Sequence, residues 1–290
     1  MKASWVTGAS LQAIWSQFPA EEPFESWAWW QAMQRPFGAV VVENKGEPVA
    51  LWPLAFRRIG PVRAYRQPLG VPWSPLLWRG ACREEVPPLE KQAPILRALA
   101  AWIRAQIAWV EGGLPPEWQY VPALRQGGVW PRVVGSFVLR PGTFAPSADL
   151  RRKLRQVAEV PLQSVLVGEA WRVWAAHRPV GVPAQFATLI KLWVEGPFPW
   201  RAWVVGQPPE GVGLFLWGRS RVWYVAGAHW QPGQAFTRLM AHALETASQE
   251  GKLFDFMGSY LPGIERFFRQ FGGTWENRLW LRRRWGLEGG

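Results

Sequence analysis

The chain has 290 residues, 49% of them hydrophobic, which is enough for two packed domains, and no apolar run is long enough for a membrane-spanning helix. Lys plus Arg exceed Asp plus Glu by 33 to 21, a net charge of +12. That excess favours polyanionic partners such as nucleic acid, anionic headgroups or phosphate-bearing cofactors, unless it is simply spread over a solvated surface. A lone cysteine, Cys82, excludes an internal disulfide and a cysteine-based zinc site, and three scattered histidines form no ligand pattern, so no metal is expected. The residues after Met1-Lys2 are too polar for a secretory h-region, and the expected compartment is the cytoplasm.

Leu11, Ile14, Trp15 and Phe18 recur at helical spacing, and Ser26 is placed to cap a second short helix running to Met33. The period then changes. Gly38–Glu43 reads as a strand, Asn44-Lys45-Gly46 as a turn, and Pro48–Phe56 as the hairpin partner. Gly60-Pro61 turns the chain into a strand at Val62–Tyr65, followed by a Pro/Gly-rich loop over Gln67–Gly80. A long amphipathic helix is predicted over Leu89–Val110, with Ile95, Leu96, Leu99, Trp102, Ile103, Ile107 and Val110 on its apolar face. Short strands at Trp118–Val121 and Val133–Leu139 close this half.

Pro141–Asp149 is the linker candidate and divides the chain into domains 1–145 and 146–290, with Ser147 placed to cap the basic helix Leu150–Glu159. Helices follow at Gly168–Ala176 and Ala184–Glu195, then strands at Trp200–Val205, Gly213–Trp217 and Val222–Ala226. A helix with an apolar face spans Ala235–Gln249, Leu253–Met257 is a buried strand, Gly263–Gln270 a helix and Arg278–Leu281 a terminal strand. The halves share an order of helices, strand meander, long helix and strands, which predicts a duplicated α/β (α+β) unit without a residue-level repeat. The 23 tryptophans read as core volume or as stacking surfaces for bases or sugars.

The most specific stretch is Phe254-Asp255-Phe256-Met257-Gly258-Ser259, continued by Pro262-Gly263-Ile264-Glu265-Arg266-Phe267-Phe268-Arg269-Gln270-Phe271-Gly272-Gly273. A buried strand ends in an Asp and a Gly-Ser turn, a helix opens at Pro-Gly, and the chain leaves it through a double Gly. This resembles the C-terminal signature of FemAB-like proteins of the GNAT superfamily, and the run Gly46–Leu54 and the loop Gln67–Pro75 agree with it. The resemblance implies two tandem GNAT-like domains, each a mixed, mostly antiparallel sheet flanked by helices. It implies an acyltransferase that moves an acyl group from a thioester donor, acyl-CoA, to an amine or hydroxyl of a small-molecule or cell-envelope precursor. The first domain would shape the acceptor side through the Gln67–Pro75 loop.

In GNAT proteins the loop before the long helix holds the donor pyrophosphate. Here Trp230-Gln231-Pro232-Gly233-Gln234-Ala235 stands in that place, which assigns donor binding to Gln231, Gly233, Gln234 and Ala235, with Tyr224 and the strand to Gly227 presenting backbone N–H groups to the thioester carbonyl. Trp230 stands where that pattern has Arg or Gln. Asp255, His229 and Tyr260 are the candidates for proton handling. A carboxylate ending a buried strand also needs a partner, for which Arg266 is the candidate, so Asp255 has a structural reading beside the catalytic one. Two alternatives stay open: FemAB-type aminoacyl transfer from charged tRNA to a cell-wall precursor, although Phe268 stands where those enzymes place Lys, and a non-catalytic, basic, Trp-rich binding module.

Overall fold

A computed structural model describes residues 1–79, 87–106, 108–230, 234–257 and 262–283, the side chains of 262–264 excepted. The chain opens with β1 (Lys2–Val6), α1 (Gly8–Trp15), a 3-10 turn at Pro23–Glu25 and α2 (Trp27–Ala32). Ser26 caps α2 as its position predicts, its hydroxyl accepting from the Trp29 N–H at 3.2 Å. β2 (Phe37–Asn44) and β3 (Glu47–Ile59) form the expected hairpin, with Lys45 and Gly46 both at positive φ in the two-residue turn. β4 (Val62–Arg66) returns along β3, and β5 (Leu77–Trp78) pairs with Ala50 and Leu51.

The predicted helix Leu89–Val110 divides. α3 (Leu89–Ala105) stops where Gln106 takes an extended conformation, and Val110 lies in β6 (Ala108–Gly113), parallel to β4 from Arg63↔Ala108 to Arg66↔Glu111. Ile107 lies outside the described residues. A short apolar run fits helix and strand periods equally, and pairing with β4 decides between them. The strand expected at Trp118–Val121 is instead a turn into α4 (Val121–Gln126), whose first turn contains Pro122. β7 (Arg132–Leu139) follows, then α5 (Ala148–Gln156), capped by Ser147 accepting from the Leu150 N–H at 3.2 Å. The rest of the chain forms β8 (Leu162–Ser164), α6 (Val167–Ala176), α7 (Ala184–Val194), β9 (Trp200–Val205), β10 (Gly211–Trp217) and β11 (Arg221–His229). After these come α8 (Ala235–Gln249), β12 (Leu253–Asp255), α9 (Pro262–Arg269) and β13 (Thr274–Arg283).

Two compact units result. The first holds Met1–Ala20, Phe24–Val134 and the chain from Asn277, and the second holds Glu21–Pro23 and Gly135–Glu276. The division therefore falls ahead of the linker candidate Pro141–Asp149 rather than at 145, and the end of the chain returns to the first unit. Strand order in the first unit is β1-β2-β3-β4-β6-β13, and in the second β8-β9-β10-β11-β12-β7. The two orders correspond strand for strand. In each unit the last place is filled from the other half of the sequence: β13 pairs with β6 from Trp280↔Gly113 to Arg283↔Val110, and β7 pairs with β12 at Phe254↔Leu139 and Asp255↔Val138.

The cores follow from this exchange. Leu279 and Leu281 of β13 pack with Trp52, Leu96, Leu99 and Ile103 in the first unit, while Phe137 and Leu139 of β7 pack with Phe215, Leu239, Leu244 and Phe254 in the second. Tryptophan supplies much of this volume, and Trp29, Trp30, Trp52, Trp118, Trp174, Trp193 and Trp223 are fully buried. Leu281→Ala is expected to lower the stability of the first unit by about 2–4 kcal/mol. Equilibrium denaturation with limited proteolysis checks this, with cleavage beginning in the first unit and the second remaining intact.

Candidate functional site

β11 pairs with β10 along its length, from Gly211↔His229 to Trp217↔Val222. The register slips once: Leu214 faces Ala226 and Phe215 faces Tyr224, so Val225 bulges without an opposite residue. On its other side β11 pairs in parallel with β12 only at Arg221↔Leu253, Val222↔Phe254 and Trp223↔Asp255. β12 then ends, and the Phe256 N–H donates to the Phe137 carbonyl at 3.0 Å, toward β7. Among the described residues, 224–229 therefore have β10 as their only strand partner. Two parallel strands that part in this way leave backbone polar groups of one strand facing the gap, available to a ligand.

A buried charge network holds the point of parting. Asp255 is fully buried, and its Oδ1 accepts from Ser136 Oγ at 2.6 Å and from the Met257 N–H at 2.8 Å. Its Oδ2 accepts from Arg221 Nη1 at 3.0 Å, and Arg221 also forks onto Glu276 at 2.8 and 3.2 Å. Burial alone lowers the arginine pKa, but Asp255 and Glu276 outweigh it and hold the guanidinium well above its usual range. The bond from Asp255 to the backbone two residues on is an Asx turn, and it accompanies a left-handed Met257 at φ 62°. Asp255 thus ends β12 and ties it to β11. The partner expected from sequence, Arg266, is exposed and takes no part. Arg221 fills that role because parallel pairing places it two residues from the partner of Asp255 on the adjacent strand. Held by at least these three donors and with no exposed surface, Asp255 shapes the site and is poorly placed to move a proton.

Tyr224 is the first residue of β11 beyond the paired segment. Its ring lies 5.6 Å from Phe215, 6.3 Å from Phe236 and 6.1 Å from Phe268. Its hydroxyl rests against Gly227, where any Cβ would collide with it, and has no hydrogen-bond partner among the described residues. Burial raises its pKa well above the phenol range, so Tyr224 is a neutral donor throughout the ordinary pH range. Phe236, in the first turn of α8, bridges to Phe267 of α9 at 6.2 Å and to His229 at 5.7 Å.

His229 is exposed at the end of β11, its ring 5.7 Å from Phe236, the ring that Tyr224 approaches at 6.3 Å. Gln234 sits at the N-cap of α8 without capping it, and its Oε1 is buried with no partner among the described residues. Ala235 is buried in the first turn, which carries no acidic residue to repel an anion at this positive helix end. Gln231, Gly233, Ser259 and Tyr260 lie outside the described residues. Trp230, the departure from the donor-loop pattern, stacks on His177 at 3.8 Å with an interplanar angle of 14°. Sequence reasoning missed Arg221, Ser136 and Glu276, and named Gly227 only as the end of the strand that presents backbone N–H groups. Gly227 carried a signal, as a glycine inside an apolar strand, and the other three carried none.

The corresponding place in the first unit is closed. Where β4 and β6 would part, the Gln67 N–H donates to the Glu111 carbonyl at 2.8 Å, and Gln67 Oε1 accepts from the Gly113 N–H at 2.8 Å. The Ser74 N–H donates to the Gly113 carbonyl at 3.1 Å, so the Gln67–Pro75 loop packs onto the same strand. No cluster of metal-ligating side chains occurs among the described residues, and no described helix is long and apolar enough to cross a membrane.

No protein-family model and no curated protein sequence matches the chain. Solved structures do. FemX aligns over 96% of this chain and 97% of its own with a TM-score of 0.61 at 11% identity. The tandem GNAT protein from the clavulanic acid biosynthesis pathway aligns over 99% and 100% with a TM-score of 0.54 at 14% identity. L-PGS from Bacillus licheniformis aligns over 96% and 92% with a TM-score of 0.57 at 10% identity. The chain has a tandem GNAT-like fold. The strand order and the parallel pair joined by a long helix occur in both units, and the pair parts only in the second.

Arg221→Met, which removes the guanidinium bonded to buried Asp255 and half-buried Glu276, is expected to destabilise the second unit by about 3–5 kcal/mol in equilibrium unfolding. In alkaline titration the Tyr224 phenol is expected to hold its proton after the unfolded-state range has been passed. The unfolded chain then binds fewer protons than the folded one, so stability falls as pH rises above the phenol range. Tyr224→Phe should flatten that alkaline loss.

Proposed function

We propose that the chain is an acyltransferase whose second unit binds the donor in the gap between β11 and β12, with acyl-CoA as donor. The acceptor is an amine or hydroxyl of a small molecule or cell-envelope precursor. The observation that carries this reading is the parting of β11 from β12 after Trp223 and Asp255, beside the bulge at Val225 and the α-carbon of Gly227. The matching place in the first unit is bridged by Gln67, which supports assigning the donor to the second unit. Likeness to the tandem GNAT protein, described in a form without AcCoA, supports a thioester donor.

In this reading, backbone N–H groups of 224–227 polarise the thioester carbonyl, and the first turn of α8 faces the donor phosphates. The acceptor nitrogen or oxygen attacks the carbonyl carbon, a new bond to that carbon forms and the C–S bond breaks. The acceptor loses its proton to solvent. The departing thiolate accepts a hydrogen bond from the neutral Tyr224 phenol and takes its proton from solvent. Most of the rate advantage comes from alignment of donor and acceptor, which needs no covalent enzyme intermediate. Tyr260 and His229 remain candidates for proton handling, His229 lying against Phe236, the ring that Tyr224 also neighbours.

A second reading, aminoacyl transfer from charged tRNA, is favoured by two observations. Trp230 is engaged with His177 rather than available to a pyrophosphate, and Phe236 and Phe267 narrow the space between α8 and α9. Likeness to FemX and L-PGS fits this reading as well. Calorimetry with acetyl-CoA and with aminoacyl-tRNA separates the donors. Micromolar binding of acetyl-CoA, abolished by Gly227→Val, is the expected result. Tyr224→Phe should retain that binding and lower turnover by roughly 10²-fold. Salt-sensitive binding of charged tRNA with none of acetyl-CoA would replace the donor assignment. Binding of neither would leave the non-catalytic module.

A further inference from the structure

The first unit carries a surface that acyl transfer does not use. α4 ends at Gln126, and Gly127-Gly128, the latter at φ 75°, turn the chain into the segment Val129–Val133. Val129 is buried, but Trp130 is 69% exposed and Val133 is 64% exposed. An indole and an isopropyl group left in water within four residues are a departure in a chain that buries most of its large apolar side chains.

Arginines gather around them. The Arg125 guanidinium lies over the Trp130 ring at 5.0 Å, and Arg132 is exposed two residues further on. The stem of Arg104, in the last turn of α3, lies so close to Gly128 that a Cβ there would come within 2.8 Å of its Cδ. Arg283 donates to the Ile103 carbonyl at 3.1 Å and also to the Arg104 carbonyl, adding a fourth cation at the negative end of α3. None of the four makes an ion pair among the described residues. Among the described residues the cluster is therefore positive charge without ion-pair partners next to exposed apolar surface, on a chain of net charge +12.

We propose that this surface is a membrane contact, with Trp130 seated at headgroup level of an anionic bilayer and Arg104, Arg125 and Arg132 on lipid phosphates. Amphipathic indoles favour that interface, and unpaired arginines are drawn to an anionic leaflet. Charge complementarity alone would suit single-stranded nucleic acid too, but stacking on bases needs open aromatic faces. One face of Trp130 is covered by Arg125, and Val133 offers a base nothing. Both side chains have a use in a bilayer interface.

The test is co-sedimentation of the full chain with vesicles of phosphatidylcholine alone and of phosphatidylcholine with phosphatidylglycerol. Binding is expected only with the anionic lipid and should weaken as salt rises. The double variant Arg125→Glu/Arg132→Glu should lower partitioning at least about tenfold, since each basic residue near an anionic surface contributes several-fold. Trp130→Ser should lower it at constant charge, and both variants should keep the wild-type unfolding midpoint. The proposal is overturned if anionic vesicles do not bind. It is equally overturned if the variants bind them as well as wild type, or if single-stranded RNA binds through these residues while vesicles do not.

Discussion

Asp255 has no exposed surface, so its charge persists in the interior only because donors surround it. Ser136, the Met257 amide and Arg221 meet that requirement, and Arg221 in turn needs Glu276. Each partner sits on a different strand: Ser136 on β7, Arg221 on β11 and Glu276 on β13. Satisfying one carboxylate therefore sets where β12 ends and where β11 leaves it. The gap proposed as the donor site is a consequence of how this charge is neutralised.

The two units show what happens with and without such an arrangement. Both contain a parallel strand pair joined by a long helix, β4 and β6 around α3, β11 and β12 around α8. In the first unit a neutral glutamine side chain crosses the place where the strands would part and bonds to the Gly113 amide. In the second, the bulge at Val225 and the short β12 leave the strand beyond Trp223 without that closure. The same strand order is thus open at this place in one unit and closed in the other. The exchange of β7 and β13 means that neither half of the sequence contains all the strands of its own unit, so neither is expected to fold alone.

Much of this was legible in the residues. The hairpin around Lys45-Gly46, the caps Ser26 and Ser147, and the helix Ala235–Gln249 rest on local chemistry that a sequence displays, and the motif from Phe254 to Gly273 pointed to the tandem fold. What was hidden depends on pairing between distant segments. The partner of Asp255 was sought in Arg266, near it in sequence, whereas strand register brought Arg221. The run Ala108–Val110 looked helical because its apolar residues suit either period, and only β4 makes it a strand. The exchange of final strands has no local signature, which is why a linker at Pro141–Asp149 suggested a simpler division. Trp230 was visible as a departure from the donor-loop pattern, but its stacking on His177 could be seen only in three dimensions.

The most direct test of the central claim is amide hydrogen exchange of the full chain with and without a saturating donor. The account predicts added protection at the backbone of 224–228 and the first turn of α8, with the amides around Gln67 and Gly113 unchanged. Protection appearing instead at β4 and β6, with 224–228 unaffected by a donor that demonstrably binds, would contradict it.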